Sequence, residues 1–261
     1  MAEIRFLSKG DIRKVAPAVL SHNAADYVSS KYSFVPTDTI IDTLNKEGWG
    51  VTSVTQSKPL KKYVERTMVQ KHIVRFRNKD VDIEDKEYIP EIVLVNSHDR
   101  TKKFMFYAGI FRLVCENGLI VATSTLERFE LIHKSIEKNE LLGAIEKVIK
   151  RLNLVTGKID EMKKVTLSPQ QQLAFAKKAF EVKYGHCVTP LQSKQLLEIR
   201  RPEDNKNDLW TKFNVIQENV MKGGIVGNKE NGRKITAKPI TNVLRIVKVN
   251  EKLWELAESY A

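Results

Sequence analysis

The histidines and cysteines, whose side chains could bind metal ions or act as nucleophiles, lack the spacing that such chemistry requires. None of the five histidines has a second ligand at a metal-binding spacing, and His186 and Cys187 form an isolated pair. Cys115 lies in a continuous apolar run, and a cysteine in a buried strand is normally inert. His98 and Asp99 could form an acid–base pair, although an aspartate in a turn more often caps that turn. We therefore expect no metal ion, no cofactor and no catalytic activity.

An acidic stretch at residues 80–87 leaves one enzymatic alternative open. Asp80, Asp82, Glu84 and Asp85 could hold magnesium for a nuclease if their carboxylates converged in a folded site. An acidic loop between two strands is usually solvated, and its carboxylates do not converge. Cleavage assays with and without magnesium distinguish such a nuclease from a binding protein.

The segment from Gly227 to Lys234 has a superficial resemblance to a phosphate-binding loop. Arg233 stands where such a loop has its lysine, and Lys234 stands where it has a hydroxyl residue. Nucleotide hydrolysis is therefore not expected. The backbone amides and cations of this segment could still hold a nucleic-acid phosphate, which needs positive charge but no set geometry.

Positive charge is concentrated in two windows of the chain, which has 261 residues and a formal net charge of +12. Residues 58–79 contain eight lysines and arginines against Glu65, and residues 222–248 contain seven against Glu230. The remaining residues together are close to neutral. Charge that is focused in this way indicates a surface that binds a polyanion.

Aromatic residues alternate with cations along residues 102–112. Proteins that bind single-stranded nucleic acid combine a cationic groove with rings on which bases stack. Any single ring of this segment more often belongs to a core than to a base-stacking platform, but the combined pattern favours single-stranded DNA as the partner. The residues predicted to contact it are Lys58, Lys61, Lys62, Arg66, Lys71, Arg75, Arg77, Lys102, Lys103, Arg112, Lys229, Arg233 and Lys234.

The secondary structure predicted to position these residues changes along the chain from helices to strands and then back to helices. Helical spacing of apolar residues is found at 8–30 and 37–48, and strand-like composition at 51–58, 67–77, 91–96 and 103–121. A long amphipathic helix is predicted at 126–154, and further helices at 168–185, 189–201, 208–223 and 250–261. The predicted fold class is α+β, with a central antiparallel sheet of three to five strands, a long helix packed on it and a helical C-terminal half. The predicted domains are residues 1–155 and residues 156–261.

The strand at 67–77 has two distinct faces. Val74 and Phe76 are expected to face a core, whereas Lys71, Arg75 and Arg77 are expected to form a row of cations on the other face, about 7 Å apart. That repeat is close to the phosphate spacing of an extended nucleic-acid strand. The hypothesis requires this row and the basic window at 222–248 to form one continuous cationic channel.

The cellular compartment follows from what the sequence lacks. No apolar run reaches the roughly 20 residues that span a bilayer, and the N-terminal residues do not have the pattern of a signal peptide. Two cysteines in unrelated contexts are typical of reduced thiols in a cytosolic protein. We expect a soluble, cytoplasmic protein.

Three stretches resemble a known protein family. The segments from Gly109 to Leu119, from Leu209 to Asn219 with the following Lys222-Gly-Gly, and from Leu253 to Ala257 are similar to a phage- and plasmid-borne family of unknown function, often labelled phage/plasmid-like protein. The resemblance covers most of the chain. It implies a mobile element in a bacterial host cytoplasm, and it adds no catalytic residues.

Residues 42–56, in which Gly48 and Trp49 join a helix to a strand, resemble the corresponding segment of the Rad-fifty-two class of single-strand annealing proteins. In that class a helix is followed by an antiparallel sheet of three or four strands and then by a long helix. The same order is predicted here over residues 37–154. The resemblance implies that a groove holds the DNA backbone while the bases stay exposed. Its lining would be Lys71, Arg75, Arg77, Lys102, Lys103 and Arg112.

The expected function is single-stranded DNA binding and annealing in phage or plasmid recombination, without ATP or a metal ion. The expected assembly is a ring or filament of identical subunits. A phage exonuclease or a host single-strand-binding protein is a further candidate partner, and no membrane is expected. The alternative is a counter-defence protein of a mobile element, which shields DNA or inhibits a host nuclease.

Overall fold

The computed structural model describes residues 4–28, 34–80, 86–99, 101, 104–113, 117–121, 129–131, 138–186 and 189–261. The chain forms two compact units. The first contains residues 1–153 and 242–244, and the second contains residues 154–241 and 245–261. Within the described ranges, no helix combines the length and the apolar character that a bilayer crossing needs.

The first unit is built around an antiparallel sheet. Its strands are β1 Trp49–Gln56, β2 His72–Asn78, β3 Tyr88–Asn96, β4 Phe104–Arg112, β5 Asn117–Val121 and β6 Phe129–Leu131. The strands follow the order β1-β2-β3-β4-β5, and each pairs antiparallel with the next. The short strand β6 pairs with the first residues of β4, beyond the part of β4 that pairs with β5.

Helices precede the sheet and make up most of the second unit. The α-helices are α1 Lys9–Val15, α2 Thr37–Lys46, α3 Lys138–Lys164, α4 Pro169–Tyr184, α5 Leu209–Lys222 and α6 Val243–Glu258. Short 3-10 helices cover Pro17–Leu20, Lys61–Val69, Ser193–Leu197 and Pro202–Asp204. The strands β7 Val226–Asn228 and β8 Lys234–Thr236 form a separate hairpin in the second unit. The predicted α+β class, with its antiparallel sheet and helical C-terminal half, is confirmed.

The caps of α4 and α5 explain why these two helices were predicted with nearly correct ends. Ser168 accepts a hydrogen bond from the backbone N–H of Gln171, and Asp208 accepts one from the N–H of Thr211. Each helix stops at a glycine with positive φ, and the φ of Gly223 after α5 is 70°. A Cβ atom at Gly223 would lie 2.3 Å from the carbonyl oxygen of Ala237, so only glycine fits this close approach.

Several elements differ from their prediction, and the long helix α3 also ends at Lys164 rather than at residue 154. Residues 61–69 are 3-10 helical, so β2 starts at His72 rather than at residue 67. Residues 129–131 form β6 instead of the start of the long helix, because Phe129 lies opposite Phe106 in a strand pair. The region 189–201 has only a 3-10 turn, and α6 begins at Val243, since its buried stripe also includes Val247. Apolar periodicity alone does not distinguish a short strand from a helical turn.

Candidate nucleic-acid interface

Arg75 and Arg77 lie in a buried ion-pair cluster on β2, where an exposed cationic row was expected. The Oε2 atom of Glu91 accepts a hydrogen bond from Nη1 of Arg75 at 2.7 Å, and its Oε1 atom accepts one from Nε of Arg77 at 2.9 Å. Glu91 has no exposed surface, and the Arg77 guanidinium lies 3.5 Å from the ring centroid of Phe111. These arginines are not free to bind phosphate, so the prediction of an exposed row is wrong.

The curvature of the sheet explains why this face is closed. Nη2 of Arg75 donates to the carbonyl oxygen of Gly118 in β5 at 3.1 Å, although β5 is three strands away from β2. In a flat sheet three strand spacings amount to about 14 Å, further than an arginine side chain reaches. The sheet therefore curls, and a Cβ atom at Gly118 would lie 2.7 Å from Cζ of Arg75. Alternation along one strand cannot show such curvature.

Arg112 is also held inside the first unit. Its side chain is buried, and its Nε atom donates to Oε1 of Glu87 at 3.2 Å. The prediction that Arg112 lines an open groove is therefore wrong as well. Lys71, at the start of β2, is half-buried.

His98 and Asp99 do not form an acid–base pair. His98 is buried, and its Nε2 atom lies 2.9 Å from the carbonyl oxygen of Ala18. Oδ1 of Asp99 accepts the backbone N–H of Thr101 at 3.0 Å, which is the turn-capping role that the sequence favoured.

A surface of cations and rings lies on the 3-10 segment Lys61–Val69 and beside it, with Tyr63 and Arg66 half-buried and its other members exposed. We call it the cationic–aromatic surface; its members are Tyr27, Lys58, Lys61, Lys62, Tyr63 and Arg66. The Arg66 guanidinium lies 4.1 Å from the ring centroid of Tyr63 and 5.0 Å from that of Tyr27. Nζ of Lys62 lies 4.8 Å from the Tyr63 centroid. Cations in this position are attracted to the face of a ring.

The lysines of the cationic–aromatic surface are available for an anionic partner. Lys58, Lys61 and Lys62 are exposed, and no carboxylate of the described residues lies within ion-pair distance of them. Arg66 has a weak contact with Glu65, at 3.9 Å from Nε to Oε1. Exposed pairs of this kind contribute little binding energy, so Arg66 can exchange its partner.

The tyrosines of this surface were missed by the sequence analysis. Tyr63 and Arg66 are three residues apart, but Tyr63 has non-helical backbone dihedrals, with φ −133° and ψ 40°, at a kink between two 3-10 turns. The spacing of a regular 3-10 helix therefore does not explain their contact. Residues 67–69 were assigned to a strand and residues 59–66 to no element. Tyr27 comes from a distant segment, so its position beside Arg66 depends on the tertiary fold.

A cleft of about 540 Å³ lies beside this surface. The segment from Leu20 to Tyr27 forms one wall, and Glu65, Arg66, Met68 and Val69 form the other. Burial raises the pKa of the Tyr27 phenol, and the nearby Asp99 carboxylate raises it further. The phenol is therefore neutral at physiological pH.

The second unit presents three of the predicted cations on a hairpin loop. Lys229, Arg233 and Lys234 are exposed between β7 and β8. The loop is closed by a hydrogen bond from the N–H of Lys229 to the carbonyl of Arg233 at 3.0 Å. A groove of about 480 Å³ separates this loop from Thr189 and Pro190. This arrangement differs from a phosphate-binding loop, which leads into a helix.

Several predicted site residues lie outside the described part of the chain. These are Lys102, Lys103, Asp82, Glu84, Asp85, Cys115 and Cys187. Asp80 is described and is exposed. Among the residues that the structure describes, no group of three or more His, Cys, Asp or Glu side chains is placed to hold a metal ion.

The match to a family model covers residues 24–254, which include the sheet, the cationic–aromatic surface and the helical motif from Leu209 to Asn219. This chain belongs to the DUF932 family, a domain of unknown function. Two similar proteins of Escherichia coli (strain K12) are UPF0380 protein YfjQ and UPF0380 protein YafZ. Each is 32% identical over 255 residues, which are 98% of this chain and 92% of the relative. No solved structure matches the chain.

The motifs that indicated a DUF932 relationship encode packing. In α5 the rings of Trp210 and Phe213 stack with centroids 5.9 Å apart, and Phe213 meets Trp254 of α6 edge-on at 5.8 Å. All three rings are buried. These residues therefore build the core of the second unit.

Proposed function

We propose that the chain binds single-stranded DNA through the cationic–aromatic surface. The observation that supports this most is the contact of Arg66 with the rings of Tyr27 and Tyr63, together with the contact of the exposed Lys62 with Tyr63. Lysines that neutralise phosphates release counterions, and this release drives most non-specific binding to nucleic acid. Rings add stacking, which selects single strands because the bases of a duplex are already stacked.

The proposed activity is the annealing of complementary strands without a nucleotide or a metal ion. Two strands repel each other through their phosphates, and a bound cationic surface reduces that repulsion. Base pairing then supplies the driving force. The exposed hairpin cations Lys229, Arg233 and Lys234 offer a second set of phosphate contacts on the other unit.

The order of elements is compatible with the annealing part of the proposal. Helix α2, an antiparallel sheet and the long helix α3 follow one another, and Trp49 begins the strand after α2, although the sheet has six strands where the Rad-fifty-two class has three or four. The proposed contact residues differ from the groove that this resemblance implied, because Arg75, Arg77 and Arg112 are engaged in ion pairs. Rings or filaments of identical subunits would align many such surfaces along one strand.

The annealing of two complementary, fluorescently labelled oligonucleotides tests this function. Protein is added at one subunit per binding site, in chelator and without nucleotide, and the appearance of duplex is followed with time. We expect annealing well above the spontaneous rate, and a loss of that acceleration when Lys58, Lys61 and Lys62 are all replaced by alanine. The proposal would be overturned if the variant accelerated annealing as much as the parent does. It would also be overturned if the parent did not accelerate annealing at all.

A further inference from the structure

The cleft beside the cationic–aromatic surface has an apolar floor and a polar rim. Leu20, Ala25 and Val69 are buried at its base, whereas Asn23 and Asp26 are exposed at its edge. Its volume of about 540 Å³ lies within the range of about 300–1,000 Å³ that is typical of small-molecule sites. A flat, partly apolar ligand with polar edges fits this combination.

Two planar groups stand at the mouth of this cleft. The ring of Tyr27 is 56% exposed, and the guanidinium of Arg66 lies 5.0 Å from its centroid. Both groups line the cleft. Aromatic rings and guanidinium planes are the groups on which unstacked bases are held by nucleic-acid-binding proteins.

Polar groups at the rim can recognise the edge of a base. The side chains of Asn23 and Asp26 make no hydrogen bond with any residue that the structure describes. An amide and a carboxylate together supply donors and acceptors for the Watson–Crick edge of a base. The backbone that presents them is fixed, because the N–H of Ala25 donates to the carbonyl of His98 at 2.9 Å.

We infer that this cleft receives one unstacked nucleobase of the bound single strand, which stacks on the ring of Tyr27, with the charge of Arg66 beside that ring. This inference rests on the proposed function, since the lysines outside the cleft hold the phosphates on either side of that nucleotide. Each subunit holds one base in this way, and the neighbouring bases remain available for pairing.

Comparing a thymidine oligonucleotide with an abasic oligonucleotide of the same length separates base binding from phosphate binding. The abasic strand has the same phosphates but no bases. We expect the parent protein to bind the thymidine strand more tightly. Tyr27→Ala should weaken that binding by about tenfold, the size of one base–ring stack, and leave the affinity for the abasic strand unchanged. Tyr27→Phe keeps the ring and should retain the parent affinities.

The outcomes distinguish failure of the inference from failure of the function. Equal affinity of the parent for the two strands, or a Tyr27→Ala variant that loses affinity for both equally, would overturn the base-binding cleft and leave phosphate binding intact. Absence of binding to both strands would overturn the proposed function as well. Because Tyr27 is mostly exposed, the variant should unfold at the parent temperature, and thermal unfolding verifies this.

Discussion

Glu91 illustrates how one buried residue changes the interpretation of a charged strand. A carboxylate removed from water is costly unless its partners compensate, and here two guanidinium groups and the carbonyl of Gly118 complete the cluster. A single acid within the apolar strand Tyr88–Asn96 was the available signal. Charges in such strands are almost never buried without a partner. Arg75 and Arg77, on the neighbouring strand, are those partners.

Replacing Glu91 by glutamine should lower the free energy of unfolding by about 3–5 kcal/mol, because two buried guanidinium groups lose their counter-charge. Urea unfolding of the purified protein measures this. The matched control is Glu65→Gln, since Glu65 is exposed and only weakly paired, and its effect should stay within about 0.5 kcal/mol. Similar losses in both variants would contradict a structural role for the Glu91 cluster.

At the scale of elements, a network of side-chain hydrogen bonds joins α2 to the sheet. The Nδ2 atom of Asn96 donates to Oγ1 of Thr37 at 3.0 Å, and that oxygen lies 2.9 Å from Nε2 of His72. Nδ1 of His72 lies 2.9 Å from the carbonyl oxygen of Gln70, which can only accept. Nδ1 therefore carries a proton, and because burial lowers the pKa of His72 to about 4 the ring is neutral at physiological pH, with Nε2 accepting from the Thr37 hydroxyl.

The burial of His72 in this hydrogen-bonded network predicts that the stability of the protein depends on pH. Burial lowers the pKa of His72 from 6.5 to about 4. Between these two pH values the unfolded chain binds a proton at this histidine and the folded chain does not. The free energy of unfolding is therefore not reduced by His72 above pH 6.5. It falls as the pH decreases towards 4, by about 3 kcal/mol in total.

Urea unfolding at several pH values between 4 and 7 tests the role of His72. His72→Gln should flatten the pH dependence of the unfolding free energy. The matched control is His186→Gln, which changes the same residue type at an exposed position away from the buried network of hydrogen bonds and should leave that dependence as in the parent. A His72→Gln variant with the full parental slope would show that other groups cause it.

Local signals predicted some elements well and others poorly. The helices α4 and α5 have capping residues and terminal glycines, and these signals are encoded within a few residues. The 3-10 helix Lys61–Val69 and the strand β6 lack such signals. Their conformations depend on contacts with distant segments, such as the pairing of β6 with β4.

At the scale of the whole molecule, the concentration of charge in one window does not determine which of its cations are exposed. The window 58–79 is strongly basic, but its free cations lie on the 3-10 segment and its arginines in β2 neutralise Glu91. Composition reveals the amount of charge but not its burial. Curvature decides the burial, and it arises from the pairing of five consecutive strands.

The salt dependence of single-stranded DNA binding tests the central claim most directly. The affinity is measured over a series of salt concentrations, and the logarithm of the binding constant is plotted against that of salt. Replacing Lys58, Lys61 and Lys62 by alanine should make the slope about 2 units shallower, since each contact on a single strand contributes about 0.7. The control variant replaces the exposed Lys150, Lys164 and Lys177, which removes the same charge, and should keep the parent slope. Equal slopes for the two variants would contradict binding at the cationic–aromatic surface.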